Sequence, residues 1–138
     1  MSKRILVDTH IWIWHLNGDL TLSTNISKII DTSALENELY ICAISVWEIA
    51  MLVSKNKMTL NTSCQAWVDK SLSLPGVSLI PLTPEIAIES CYLPGNFYGD
   101  PADRMIVASA RIENLSLITR DKKIVQYCKH HGIDVIEA

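Results

Sequence analysis

The chain has 138 residues, 49% of them hydrophobic, and its 12 Lys and Arg stand against 15 Asp and Glu for a formal net charge of −3. That length and apolar share suit one compact domain spanning residues 1–138, and the acidic balance excludes a protein that holds nucleic acid through a broad basic face. No run approaches the roughly 20 uninterrupted apolar residues of a membrane helix, and the N-terminus carries no sorting signal, so a cytoplasmic location with no membrane partner is expected.

In chain order, Ile5 to Val7 reads as a short strand, and the apolar run Ile11 to Leu16 after it is too long for another strand, which gives a β-α opening. A second helix is expected from Ser23 to about Glu36, where Ile26, Ile29, Ile30 and Ala34 recur at helical spacing behind a Ser-Thr cap signal. Leu39 to Cys42 is strand two. Helices are expected over Ser45 to Val53 and Cys64 to Leu74, with Lys55 to Asn61 as a polar connection. Pro75-Gly76 turns the chain into strand Val77 to Ile80, and a further helix starts at Pro84. Pro94 to Pro101 is rich in Pro and Gly and precedes a helix over Ala102 to Glu113. Strands Leu115 to Ile118 and Ile133 to Ile136 follow, separated by a helix that begins near Asp121. Strands alternating with helices favour an α/β fold, a parallel sheet of about five strands covered on both faces. Functional groups then collect beyond the C-terminal ends of the strands.

Repeats, low-complexity tracts and internal linkers are absent, as are the glycine-rich phosphate loops GxGxxG and GxxxxGK[ST]. Cys42, Cys64, Cys91 and Cys128 are scattered without a CxxC pair, and read as reduced, mostly buried thiols. His10, His15, His130 and His131 share no metal-ligand spacing, so packing or surface roles are expected of them. Trp12, Trp14 and Trp47 sit in apolar helices and are assigned to core or interface before base stacking.

The chemistry lies in the acidic residues. Asp8 directly follows the first strand and precedes a helix, and Asp121 has the same position after the Leu115 to Ile118 strand; each is placed either to cap a helix or to face a ligand. Asp100 and Asp103 bracket the start of a helix in DPADR, where acidic side chains also suit the positive helix end. Glu48 is different. It is the only charged residue between Tyr40 and Ser54 and shares a helical face with Ile44, Met51 and Leu52, so its carboxylate is expected to be half buried. A buried carboxylate costs several kcal/mol unless it takes up a proton or meets a cation. Several of them at one sheet edge repel one another unless a divalent cation intervenes, and an all-oxygen donor set suits Mg²⁺ or Mn²⁺. Such a site fits phosphoryl transfer.

Four segments, ILVDTHIWIWHL, ISVWEIAMLVSKNKMTL, DPADRMIVASA and LSLITRDKKI, in this order resemble the PIN-domain family, and within it the VapC-type toxins, from about Ile5 to Ile136. The resemblance implies a three-layer α/β/α sandwich on the parallel sheet. It further implies Mg²⁺-dependent cleavage of RNA by activated water, with Mn²⁺ as a substitute, and inhibition by a cognate antitoxin protein, commonly with homodimer formation. Motif by motif, it assigns Asp8, Glu48, Asp103 and Asp121 as metal-holding catalytic residues. Asp100 is an auxiliary metal ligand or a cap. Arg104, Thr119 and Arg120, beside these carboxylates, are candidate substrate contacts, with the Thr119 hydroxyl also placed to orient a water or carboxylate and ordinary solvated charge as the competing reading of the arginines. Tyr98 and Gly99 depart from the His or other polar residue that similar toxins often carry just before DPxDR, which bears on substrate choice. A housekeeping RNA-processing nuclease and a catalytically silent RNA- or protein-binding module remain alternatives. A phosphatase with a second Asp two residues after the first is excluded, because His10 stands there.

Overall fold

The computed structural model describes residues 3–138. In chain order it runs β1 (Ile5–Val7), α1 (Thr9–Leu16), α2 (Thr24–Leu35), β2 (Leu39–Cys42), α3 (Ala43–Ser54), α4 (Cys64–Leu72), β3 (Val77–Ile80), α5 (Pro84–Cys91), α6 (Pro101–Glu113), β4 (Ser116–Thr119), α7 (Lys122–His130) and β5 (Val135–Glu137). The expected order of elements holds, and the differences lie at the boundaries. Helix α3 starts two residues early because Cys42 passes straight from strand to helix without a side-chain cap. Ile133 falls outside β5, since its N–H closes α7 by donating to the Cys128 carbonyl.

All strand pairs are parallel and the spatial order is β3-β2-β1-β4-β5. Alternation explains the core. Leu6 and Leu117 belong to the apolar cluster shared with α5, α6 and α7, while Ile5, Val7 and Ile118 belong to the cluster shared with α1, α2 and α3. Strands buried on both faces therefore read as unbroken apolar runs. Full burial of a Leu or Ile side chain is worth about 1.5–3 kcal/mol, and Ile5, Leu6 and Val7 are each at most 1% exposed. That burial, not strand propensity, holds a three-residue β1 at the sheet's centre.

The thiol expectation needs correction. All four cysteines are free, but only Cys42 and Cys128 are buried; Cys91 is exposed at the last turn of α5.

The chain leaves β1 towards β2 and β3 and later returns to the opposite side of β1 as β4. Two neighbouring strands whose crossovers leave in opposite directions open a crevice at their C-terminal ends. Asp8 and Asp121 stand there.

Candidate active site

Each acidic side chain reaches the crevice by a local rule. Asp8 is the N-cap of α1: its Oδ1 accepts from the Thr9 N–H at 2.8 Å. Asp100 is the N-cap of α6 and accepts from the Asp103 N–H at 2.9 Å, with Pro101 at the first helical position. Asp121 caps α7, accepting from the N–H groups of Lys123 and Ile124. The capping and ligand-facing readings of these residues are thus not alternatives, because the caps aim three positive helix ends at one place. Asp103 sits in the first turn of α6, and Glu48 comes from the middle of α3.

Asp8, Glu48, Asp100, Asp103 and Asp121 line a single cleft of ≈ 400 Å³. His10, Ile11 and Trp14 form its α1 wall. Sequence reasoning gave His10 a packing or surface role and Trp14 a core or interface role, and did not single out Ile11 for the site. The available signal was spacing, since once Asp8 is fixed as the α1 cap, positions 10 and 14 share the helix face next to it. Among the described residues, Arg120 is the only Lys or Arg in the lining.

Buried hydroxyls hold two of the carboxylates. Thr119 Oγ1 donates to Asp8 Oδ2 at 2.7 Å and accepts from the Asp121 N–H at 3.1 Å, so the end of β4 is tied to both acidic caps. Thr9 Oγ1 donates to Glu48 Oε1 at 2.5 Å and lies 2.8 Å from Ser45 Oγ. Ser45 and Glu48, three residues apart on α3, present one face to Thr9. Among the described residues no Lys or Arg pairs with Glu48.

The remaining candidates divide. Arg120 stays at the cleft but is braced, its Nη2 donating to the Thr21 carbonyl at 2.7 Å and its guanidinium 4.7 Å above the Trp14 ring. Arg104 lies outside the lining, with Nε donating to the Ser90 carbonyl at 2.8 Å and Nη1 to the Phe97 carbonyl at 2.6 Å. Thr119 is 0% exposed and orients Asp8 instead of meeting solvent. Gly99, the departure noted above, is required by packing: a Cβ there would lie 2.6 Å from the Phe97 ring and 2.9 Å from Asp103 Cβ.

The crowding shows in the acidities. Burial, reinforced by Asp100, Asp8, Asp121 and Glu48, pushes the Asp103 carboxyl up to about 7. Burial also raises Asp8, against the pull of the hydrogen bonds from Thr119 and Thr9. Glu48 is raised by burial and opposed by its bond from Thr9, with Asp8 adding to the rise. Five carboxylates facing one guanidinium form a cation-seeking site dominated by oxygen donors, with the His10 imidazole on its wall. Among the described residues no three His, Cys, Asp or Glu side chains stand close enough together to hold a metal ion as they are. Mg²⁺ keeps several of its waters, so carboxylates at this spacing would meet such an ion partly through water.

Residues 5–136 match the family described as PIN domain. The chain is similar to ribonuclease VapC22 of Mycobacterium tuberculosis, with 31% identity over 120 residues that cover 87% of this chain and 88% of the relative. Among solved structures it is similar to VapBC2 from Rickettsia felis bound to a promoter DNA fragment, with TM-score 0.71, 19% identity and coverage of 96% of this chain and 97% of that one. FitAcB from Neisseria gonorrhoeae gives a TM-score of 0.65 at 21% identity, covering 96% of each chain. At those identities the solved structures speak for the fold alone.

Proposed function

The chain belongs to the PIN-domain family, and from that premise we propose that it is a Mg²⁺-dependent endoribonuclease acting as the toxin of a toxin-antitoxin pair. The observation that carries the reading is the convergence of five carboxylates in one cleft at the sheet's crevice with a single arginine among them. The relative named a ribonuclease and the complexes of similar fold support the activity and the pairing with an antitoxin protein. No helix among the described residues is long and apolar enough to cross a membrane.

Asp8, Glu48, Asp103 and Asp121 would hold the cation, with Asp100 as an auxiliary. When bound, Mg²⁺, or Mn²⁺ in its place, supplies a Lewis acid for the phosphodiester and a water of lowered pKa. The protein's own part is positional. Thr119 fixes the Asp8 carboxylate and Thr9 fixes that of Glu48, so both present oxygens without reorganising. Without metal, burial and the neighbouring carboxylates push Asp103 up to about 7, so a cation binding there near neutral pH would displace a proton. Arg120, braced at the rim, offers its charge to a phosphate. Side-chain nucleophiles are not needed in this scheme.

The test uses a mixed cellular RNA pool, purified protein and either Mg²⁺ or EDTA, comparing the wild type with Asp8→Asn. Only wild type with metal is expected to cut, leaving 5′-phosphate and 3′-hydroxyl ends. Equal cutting by Asp8→Asn, or indifference to EDTA, would overturn the carboxylate mechanism.

A further inference from the structure

The segment between α5 and α6 packs along α7 and leaves a second pocket, of ≈ 370 Å³, lined by residues of both. Its floor is a rigid aromatic stack. The Tyr127 ring lies 4.9 Å from that of Phe97 and is stacked at 4.1 Å on that of His131. Hydrogen bonds fix this floor: the Tyr127 hydroxyl donates to the Pro94 carbonyl at 2.5 Å, and His131 Nδ1 lies 2.9 Å from the Tyr127 carbonyl. Gly95 is packed against the His131 ring so closely that a Cβ there would lie 2.7 Å from Nε2. The rim is polar, cationic and open. Tyr98 is 80% exposed, and Lys123, Gln126 and His130, all exposed on α7, face the same space.

We propose that this pocket receives one unpaired nucleotide of the RNA, next to the nucleotide whose phosphodiester lies over the carboxylates; the inference rests on the ribonuclease reading of that cleft. Three observations converge on a nucleotide. First, an exposed tyrosine ring offers a base a stacking surface that is indifferent to base identity. Second, Lys123 brings a positive charge of the kind a phosphate needs, in a chain whose overall charge is negative. His130 Nδ1 is held 3.0 Å from the Gln126 carbonyl, which leaves Nε2 for another partner. Third, the two sites are lined by residues close together along the chain, though they share none. Tyr98 lies two residues before Asp100, and Lys123 two after Asp121. Two residues of chain reach about 7 Å at most, so the pocket begins within one nucleotide's length of the acidic cleft. The volume also falls within the usual small-ligand range of roughly 300–1,000 Å³.

Binding and cleavage are to be measured separately on the full chain. Binding uses a fluorescein-labelled single-stranded RNA hexamer of mixed sequence in EDTA, compared with a duplex of the same length. Tyr98→Ala and Lys123→Ala are each expected to weaken single-strand binding about tenfold and to leave duplex binding unchanged. Lys28→Ala, the same charge change on α2, is expected to cost less than twofold. Cleavage with Mg²⁺ is followed on RNA and on bis(4-nitrophenyl) phosphate, a diester without nucleotides. Tyr98→Ala is expected to raise KM for RNA at nearly constant kcat and to hydrolyse the small diester like the wild type. Unchanged RNA affinity in both pocket variants overturns the proposal and leaves the pocket to a protein ligand. Equal losses in Lys123→Ala and Lys28→Ala reduce it to general charge and overturn it too. Wild-type protein inert on both RNA and diester defeats the nuclease reading instead, while the EDTA binding arm still decides the pocket.

Discussion

Asp103 is the side chain on which the cleft's crowded charge weighs most. A carboxyl whose folded pKa is raised, here to about 7 from 3.8, binds more protons in the folded than in the unfolded state between those values. Stability of the metal-free chain therefore falls as pH rises through that window and levels off above it. Asp8 and Glu48, also raised, push in the same direction. In EDTA, the melting temperature is expected to be higher at pH 5.5 than at pH 8, and Asp103→Asn to flatten the profile and stabilise the chain at pH 8. About 1 kcal/mol is a reasonable size, well below the full value of the shift, because the group is only half buried. A melting temperature that rises from pH 5.5 to 8 in the metal-free wild type would contradict the crowding. Mg²⁺ should invert the trend, since it competes with protons for the same oxygens.

At the scale of elements, the Pro94–Gly99 connection depends on Arg104 more than on its own sequence. Nε of Arg104 satisfies the Ser90 carbonyl near the end of α5, a helix end that otherwise leaves acceptors unpaired, and Nη1 holds the Phe97 carbonyl. A lysine is a point charge and cannot make this fork. Arg104→Lys is expected to cost about 1–3 kcal/mol in denaturant unfolding and to open the chain to limited proteolysis within Pro94–Pro101. An unchanged midpoint with no new cleavage would show that the connection holds itself. The same element marks where sequence stops being informative. β2 is legible to the residue as a largely buried apolar run, and β3, an exposed edge strand, because Pro75-Gly76 and Pro81 bound it. Asp8 and Asp121 are legible because they stand just past strands, Asp103 because it opens a helix in DPADR, and Glu48 because it interrupts an apolar helix face. The strap over α7 is not, since what closes it is an arginine ten residues away from Pro94 and a stack of rings from two separate stretches. Nothing in the local pattern of Arg104 distinguishes a guanidinium aimed at carbonyls from one aimed at phosphate. Of the two readings of Thr119, substrate contact and carboxylate orientation, the second is the one that fits, because β4 runs one residue further and buries the hydroxyl against Asp8.

For the whole molecule, the balance of charge sets how it can meet a polyanion. Its acidic residues outnumber the basic ones, 15 to 12, and five of the acidic ones line the cleft where the scissile phosphate must arrive. Long-range attraction is therefore not available to bring RNA in, and without metal the cleft repels it. Cationic contact at the two sites is restricted to Arg120 at the cleft and Lys123 at the neighbouring pocket. Affinity for single strands falls with salt in proportion to the number of phosphates neutralised, with a log–log slope of about −0.7 per contact. Two or three contacts give a slope between roughly −1 and −2, whereas a protein that lays RNA along a basic face with six to ten contacts gives about −4 to −7. Fluorescence anisotropy of the labelled hexamer in EDTA, titrated across salt concentrations, measures this directly. The shallow slope is expected, and Lys123→Ala should lower it by about 0.7. A slope steeper than about −4 would mean that a broad basic surface forms on binding, for instance by a second copy of the chain, and that the local pocket is not what holds the strand. With a shallow slope, selectivity has to come from stacking and from the shape of the single strand, because charge contributes too little to override them.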